Sequence, residues 1–124
     1  MKIYKNAWFI RFARTQNISA DALREAVRRA ESGQIDADLG GGLIKQRVAR
    51  MGQGKSRGYR TIMLYRAGEK AFFVYGFSKS ERENIREDEE AQFKKMARYV
   101  LGLSDQQLNE LIARGKLEVI ESDE

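Results

Sequence analysis

Leu43-Ile44-Lys45-Gln46-Arg47-Val48-Ala49-Arg50 decides the fold, because apolar and polar side chains alternate along it and its first two cations fall on one parity. Successive side chains of a strand point to opposite faces, so Ile44 and Val48 share one face while Lys45 and Arg47 share the other. Further on, residues 59–66 are rich in β-formers (Tyr59, Thr61, Ile62, Tyr65), and residues 70–78 carry Phe72, Phe73, Val74, Tyr75 and Phe77. Residues 51–58 and Ala67-Gly68-Glu69 join these runs. Both connections hold glycines that can take φ > 0, and the second is of hairpin length. The three runs predict an antiparallel meander.

The strand character begins after Gly40-Gly41-Gly42, and what precedes it reads as helix. Residues 6–14 space Trp8, Phe9, Phe12 and Ala13 at i, i+1, i+4 and i+5 with Arg11 and Arg14 between, which predicts a short amphipathic helix. Ser19 then stands where an N-cap belongs, and Leu23, Ala26, Val27 and Ala30 form the stripe of a second helix that stops at Gly33. Beyond Lys79 the helical period returns, with Ala91, Met96, Ala97, Val100 and Leu101 making a stripe that ends near Gly102. Ser104 and Gln107 form a capping box for a last helix through Leu108, Leu111 and Ile112 to Gly115, and residues 116–120 offer a final strand at the sheet edge. The expected fold is α+β: two N-terminal helices, a central antiparallel sheet of three to four strands, and C-terminal helices, packed on one face of the sheet. With 124 residues, no repeat, no linker tract and no proline, residues 1–124 read as one domain.

Composition excludes several kinds of chemistry. The chain has neither Cys nor His, which removes thiol nucleophiles, disulfides, structural zinc sites and imidazole acid–base catalysis. A charged fraction of 33% is scattered too evenly for a span of ~20 apolar residues. Met1-Lys2-Ile3-Tyr4-Lys5-Asn6 lacks the apolar run of a cleaved leader, so the expectation is a cytoplasmic protein without a membrane partner.

The net charge of +5 is uneven. Residues 1–39 hold seven Lys/Arg and five Asp/Glu, residues 40–82 hold ten and two, and residues 83–124 hold six and eleven. A net +8 in the middle third is the footprint of a polyanion site, since cations beside phosphates release counterions. Gly54-Lys55-Ser56 invites a phosphate-loop reading and fails it, because Ala49 stands where the first Gly is needed and a strand-like run follows where a helix is needed. A dinucleotide fingerprint fails at Arg57. Strand parity offers instead a basic face from Lys45, Arg47, Arg60 and Lys79, with Lys55 and Arg57 reaching in from the connecting loop: a cradle for a phosphodiester.

Three ordered blocks of the chain resemble the RelE-like toxins of bacterial type II toxin–antitoxin systems, and within them the HigB-like branch. The blocks are Ile35 through Arg47 with Gly40-Gly41-Gly42, Gly54-Lys55-Ser56 with Gly58-Tyr59-Arg60, and Tyr75-Gly76-Phe77-Ser78-Lys79-Ser80-Glu81-Arg82 with Asn84-Ile85. The resemblance implies a compact antiparallel sheet flanked by helices, ribosome-associated cleavage of messenger RNA, and a neutralising antitoxin, commonly a helix-turn-helix protein. It also implies that clustered Lys, Arg and Tyr side chains do the work, carried over here to Lys45, Arg47, Lys55, Arg60, Tyr75 and Lys79. Arg57 departs from the pattern, standing where a second glycine is expected.

The residue inventory suits that reaction. RNA is cut without metal or cofactor when its own 2′-OH attacks the adjacent phosphate, which requires a base, cationic stabilisation of the transition state, and an acid for the 5′ oxygen. Lys45 or Lys55 is the candidate base, since neighbouring cations disfavour a charged lysine. Arg60 offers a bidentate contact to the phosphorane, and Tyr75 can stack on a base or orient a hydroxyl. Arg47, Arg57, Lys79 and Arg82 are expected to bind the RNA. The plainer readings are that Tyr75 and Phe77 only pack, that Arg47 and Arg82 pair with carboxylates such as Glu81, and that Glu87-Asp88-Glu89-Glu90 starts a helix. A non-catalytic module that binds nucleic acid or antitoxin is the alternative function on the same fold.

Overall fold

A computed structural model describes residues 1–50 and 54–121, without the side chains of residues 54–57. The chain runs β1 (Lys2–Asn6), α1 (Ala7–Thr15), α2 (Ala20–Glu31), β2 (Ala37–Gly40), β3 (Leu43–Arg50), β4 (Gly54–Arg66), β5 (Lys70–Ser78), α3 (Glu87–Val100), α4 (Asp105–Ala113) and β6 (Leu117–Ile120). Helix starts follow from their caps. The Asn6 side chain accepts from the Phe9 N–H at 2.8 Å, Ser19 accepts from Ala22 at 3.1 Å, and Ser104 and Gln107 exchange bonds at 3.2 and 2.9 Å.

Class, helices and the three central strands are as the sequence reads, and the sheet is larger than expected. Among the described residues it has six strands, in the order β2-β3-β4-β5-β1-β6. All neighbours are antiparallel except β1 and β5, which run parallel. β1 escapes a period-two reading because it lies between β5 and β6 and is buried on both faces: Ile3 enters one core and Tyr4 the other. β2 is four residues of Ala-Asp-Leu-Gly, a composition poor in β-formers.

The expectation that all helices share one face is corrected. One core joins α1 and α2 to Ile44, Val48, Met63 and Phe73, and the other joins α3 and α4 to Leu43, Ile62, Leu64 and Phe72. Both parities of the central strands are therefore apolar, which is what the unbroken run Ile62-Met63-Leu64-Tyr65 records. The connection read as residues 51–58 is also shorter than expected. β4 is already strand at Gly54 and continues through Arg66, so no helix follows Ser56 and the phosphate-loop reading stays rejected.

Two close approaches fix the layers. A Cβ on Gly76 would lie 2.7 Å from the Phe12 ring, so glycine lets α1 sit directly on β5. On the same side, fully buried Gln46 donates to the carbonyls of Ala26 and Gln34 at 3.0 Å each and accepts from the Asp36 N–H at 2.9 Å. A buried amide with its polar atoms satisfied ties α2 and the following loop to β3.

Candidate nucleic-acid interface

The sheet face under α3 and α4 is apolar only where the helices cover it, and strand parity carries it on toward the far end of the β3–β4 hairpin as a row of cations. Lys45, Ile62 and Tyr75 stand side by side across β3, β4 and β5, and Arg47, Arg60 and Phe77 form the next row. A register shift between Ile62 and Met63, opposite Val74, resets the parity of β5. Without it Val74 and Gly76 would take the places of Tyr75 and Phe77, so the bulge aims the tyrosine into the cationic end.

Electrostatics at this end oppose folding. Arg47 and Arg60 are direct cross-strand partners, and like charges so placed destabilise a sheet. The Arg60 Nη1 atom is buried and has no hydrogen-bond acceptor among the described residues. Neither side chain joins an ion pair among those residues, whereas Arg24, Arg29, Arg82 and Arg86 all do. The strand beneath Arg47 is held firmly: its N–H donates to Asp36 Oδ2 at 2.6 Å, and Arg29 donates to its carbonyl. Lys45 is half-buried and its Nζ donates to Asn84 Oδ1 at 3.2 Å.

Tyr75 lies in an aromatic cluster. Its ring centroid is 4.6 Å from Trp8, 5.7 Å from Phe93 and 6.1 Å from Phe77, and the Arg82 guanidinium lies over it at 5.8 Å. Packing thus occupies the ring that sequence reasoning offered for base stacking. Arg82 Nη1 donates to the Tyr75 hydroxyl at 3.0 Å, while Nη2 donates to Glu89 Oε1 at 2.5 Å and Nε donates to the Asn84 carbonyl at 2.9 Å. The carboxylate partner of Arg82 is therefore Glu89 and not the sequence neighbour Glu81. Glu89 also accepts from the Arg86 N–H at 2.7 Å. These bonds from Arg82 and the backbone hold the Glu89 carboxyl below its usual range, and the same ion pair raises the Arg82 guanidinium.

Of the residues singled out from the sequence, the fold brings Lys45, Arg47, Arg60 and Tyr75 into two adjacent rows, with Arg82 at their border. Lys79 is exposed in the turn after β5, which ends at Ser78. The side chains of Lys55 and Arg57 lie outside the described residues. Three residues were not foreseen at this place. From the sequence Trp8 reads only as part of an amphipathic helix, Asn84 only as part of a longer block, and Glu89 only as a helix-start charge; a Glu three residues past the N-cap is the available signal. Among the described residues no helix is long and apolar enough to cross a membrane.

Comparison with curated proteins returns no match. The family model described as the RelE toxin of the RelE/RelB toxin–antitoxin system matches residues 1–120, a span from before β1 to the end of β6. Sheet, helices and cationic end thus all fall inside one match, and the chain belongs to the RelE toxin family.

Proposed function

We propose that this toxin cuts messenger RNA on the ribosome, at the uncovered end of the β3–β5 sheet. Toxins of the family are generally messenger RNA endoribonucleases that an antitoxin restrains. The observation that carries the reading is the Arg47–Arg60 pair: two arginines stand opposite each other across β3 and β4, the second with a buried Nη1 that has no acceptor among the described residues, and a phosphodiester supplies the negative charge both can use. Arg60 stabilises the dianionic phosphorane, while Arg47, Arg57 and Lys79 hold flanking phosphates. Lys45 or Lys55, in its neutral form, takes the 2′-OH proton as O2′ bonds to phosphorus. The P–O5′ bond breaks, and the other lysine, in its charged form, protonates the leaving oxygen. The products are a 2′,3′-cyclic phosphate and a 5′-hydroxyl, with no metal or cofactor consumed. The toxin then acts in the cytoplasm, where translating ribosomes are. A helix-turn-helix antitoxin of the kind found in the HigB-like branch is its partner.

Primer extension on a messenger RNA in a purified translation system tests this reading with wild type, Lys45→Ala, Lys55→Ala and Arg60→Ala. Ribosome-dependent cuts that Arg60→Ala reduces by 100-fold or so are expected. Undiminished cutting by Arg60→Ala removes that residue from catalysis. No cutting by a folded wild type that still binds RNA leaves a non-catalytic module.

A further inference from the structure

Among the described residues Arg82 is the best-bonded cation at the interface, and that is the reason to take it out of the RNA-contact set. Its guanidinium spends Nε on the Asn84 carbonyl, Nη2 on Glu89, and Nη1 on both Glu89 at 3.2 Å and the Tyr75 hydroxyl. Its flat face covers the Tyr75 and Phe77 rings, at 5.8 and 5.7 Å from their centroids. An arginine so engaged has little left for a phosphate, unlike Arg47 and Arg60 in the row beside it. What it does have is control of one reactive group. A phenol that accepts from a guanidinium directs its own O–H elsewhere, because the cation occupies the acceptor side of the oxygen.

We infer that Arg82 and Glu89 are positioning residues: together they hold the Tyr75 hydroxyl so that its O–H is presented to an RNA phosphate oxygen beside Lys45 and Arg60. Glu89 fixes the Arg82 fork with a two-point contact and is itself fixed by the Arg86 N–H at the start of α3. The aromatic cage of Trp8, Phe77 and Phe93 restricts the ring about the axis that this bond completes. The geometry thus couples the first turn of α3 to a hydroxyl on β5. This inference rests on the nuclease reading and extends it.

The test is a double-mutant cycle in single-turnover cleavage of ribosome-bound messenger RNA, run at rising toxin concentration to separate maximal rate from half-saturation. Wild type, Tyr75→Phe, Arg82→Met, the double variant, and Glu89→Gln alone and with Tyr75→Phe are compared. Glu89→Gln keeps an oxygen for the Arg86 N–H while removing the charge that fixes Arg82. Arg82→Met and Tyr75→Phe are each expected to lower the maximal rate about tenfold, with half-saturation kept within about twofold. The double variant is expected to be no slower than Tyr75→Phe, and Glu89→Gln to lose rate only when the hydroxyl is present. Multiplying losses in the double variant overturn the inference, as does a weaker half-saturation at unchanged rate, which marks a direct phosphate contact. Wild-type speed from Tyr75→Phe overturns it too. If thermal melting shows that Arg82→Met does not fold, the Glu89→Gln cycle decides alone. A folded wild type that cuts nothing overturns the nuclease reading itself and this inference with it, whereas cutting that ignores Tyr75 overturns the inference only.

Discussion

Arg60 stands in a place that folding alone would not choose. A half-buried arginine whose Nη1 has no acceptor among the described residues, opposite a second arginine, costs stability, and proteins retain such features where a ligand uses them. Arg60→Met is therefore expected to raise unfolding free energy by about 0.5–1 kcal/mol in urea denaturation while weakening RNA cleavage. A less stable variant would show that Arg60 has a structural partner after all. Much at this level was legible in the sequence. The parity of Lys45, Arg47 and Arg60 follows from strand alternation alone, and the register places Arg47 opposite Arg60. What was not legible is pairing across a loop. For Arg82 the sequence offers Glu81 next door, but an adjacent side chain cannot be read as a partner without the backbone path, and the turn after Ser78 delivers Glu89 instead. Tyr75 reaches the face of Lys45 only because the Val74 bulge shifts the parity of β5, which strand alternation does not reveal.

Among the elements, β3 and β5 have the bounds that alternation predicts, whereas β1 and β2 carry too little pattern to be found: one is buried on both faces and the other is four residues long. The β3–β4 hairpin depends on a bare backbone at Gly58, where a Cβ would fall 2.0 Å from the Val48 carbonyl oxygen. Gly58→Ala is expected to cost about 1–3 kcal/mol or more by forcing the strands apart, and to lose cleavage beyond what the lost stability explains. Denaturation midpoints and cleavage at matched folded fraction check both parts. At the start of α3, Glu89 has a lowered folded-state pKa, caused first by Arg82 and next by the Arg86 N–H. Its contribution is thus present above the unfolded carboxyl value of about 4.3 and lost as pH falls through the lower folded value. Glu89→Gln should be less stable than wild type at pH 7, and the difference should close as the pH falls below ordinary carboxyl values. A gap that persists in acid would mean that shape, not charge, is what Glu89 contributes.

Taken entire, the molecule segregates its charge: the middle third supplies the cationic sheet end, and the acidic last third is spent largely on α3, α4 and their caps. Binding to single-stranded RNA is expected to weaken steeply with salt, each of Lys45, Arg47 and Arg60 contributing about 0.7 to the log–log slope. Titrating the alanine variants against ionic strength reads each contribution, and an unchanged slope for Arg47→Ala would place Arg47 off the backbone path. The sheet order has one more consequence. Ile3 pairs with Ile120, so the first strand reaches its second neighbour only when nearly all the described chain is available. Local hairpins can form early, but the β1–β6 pair joins strands more than a hundred residues apart and belongs to the slow, non-local part of folding. A ribosome making this toxin therefore carries an unfinished sheet until residues 117–120 emerge from it. The finished sheet comes into being only after synthesis has passed its last strand, so the Arg47–Arg60 rows exist in a half-built sheet before β1 gains its second neighbour.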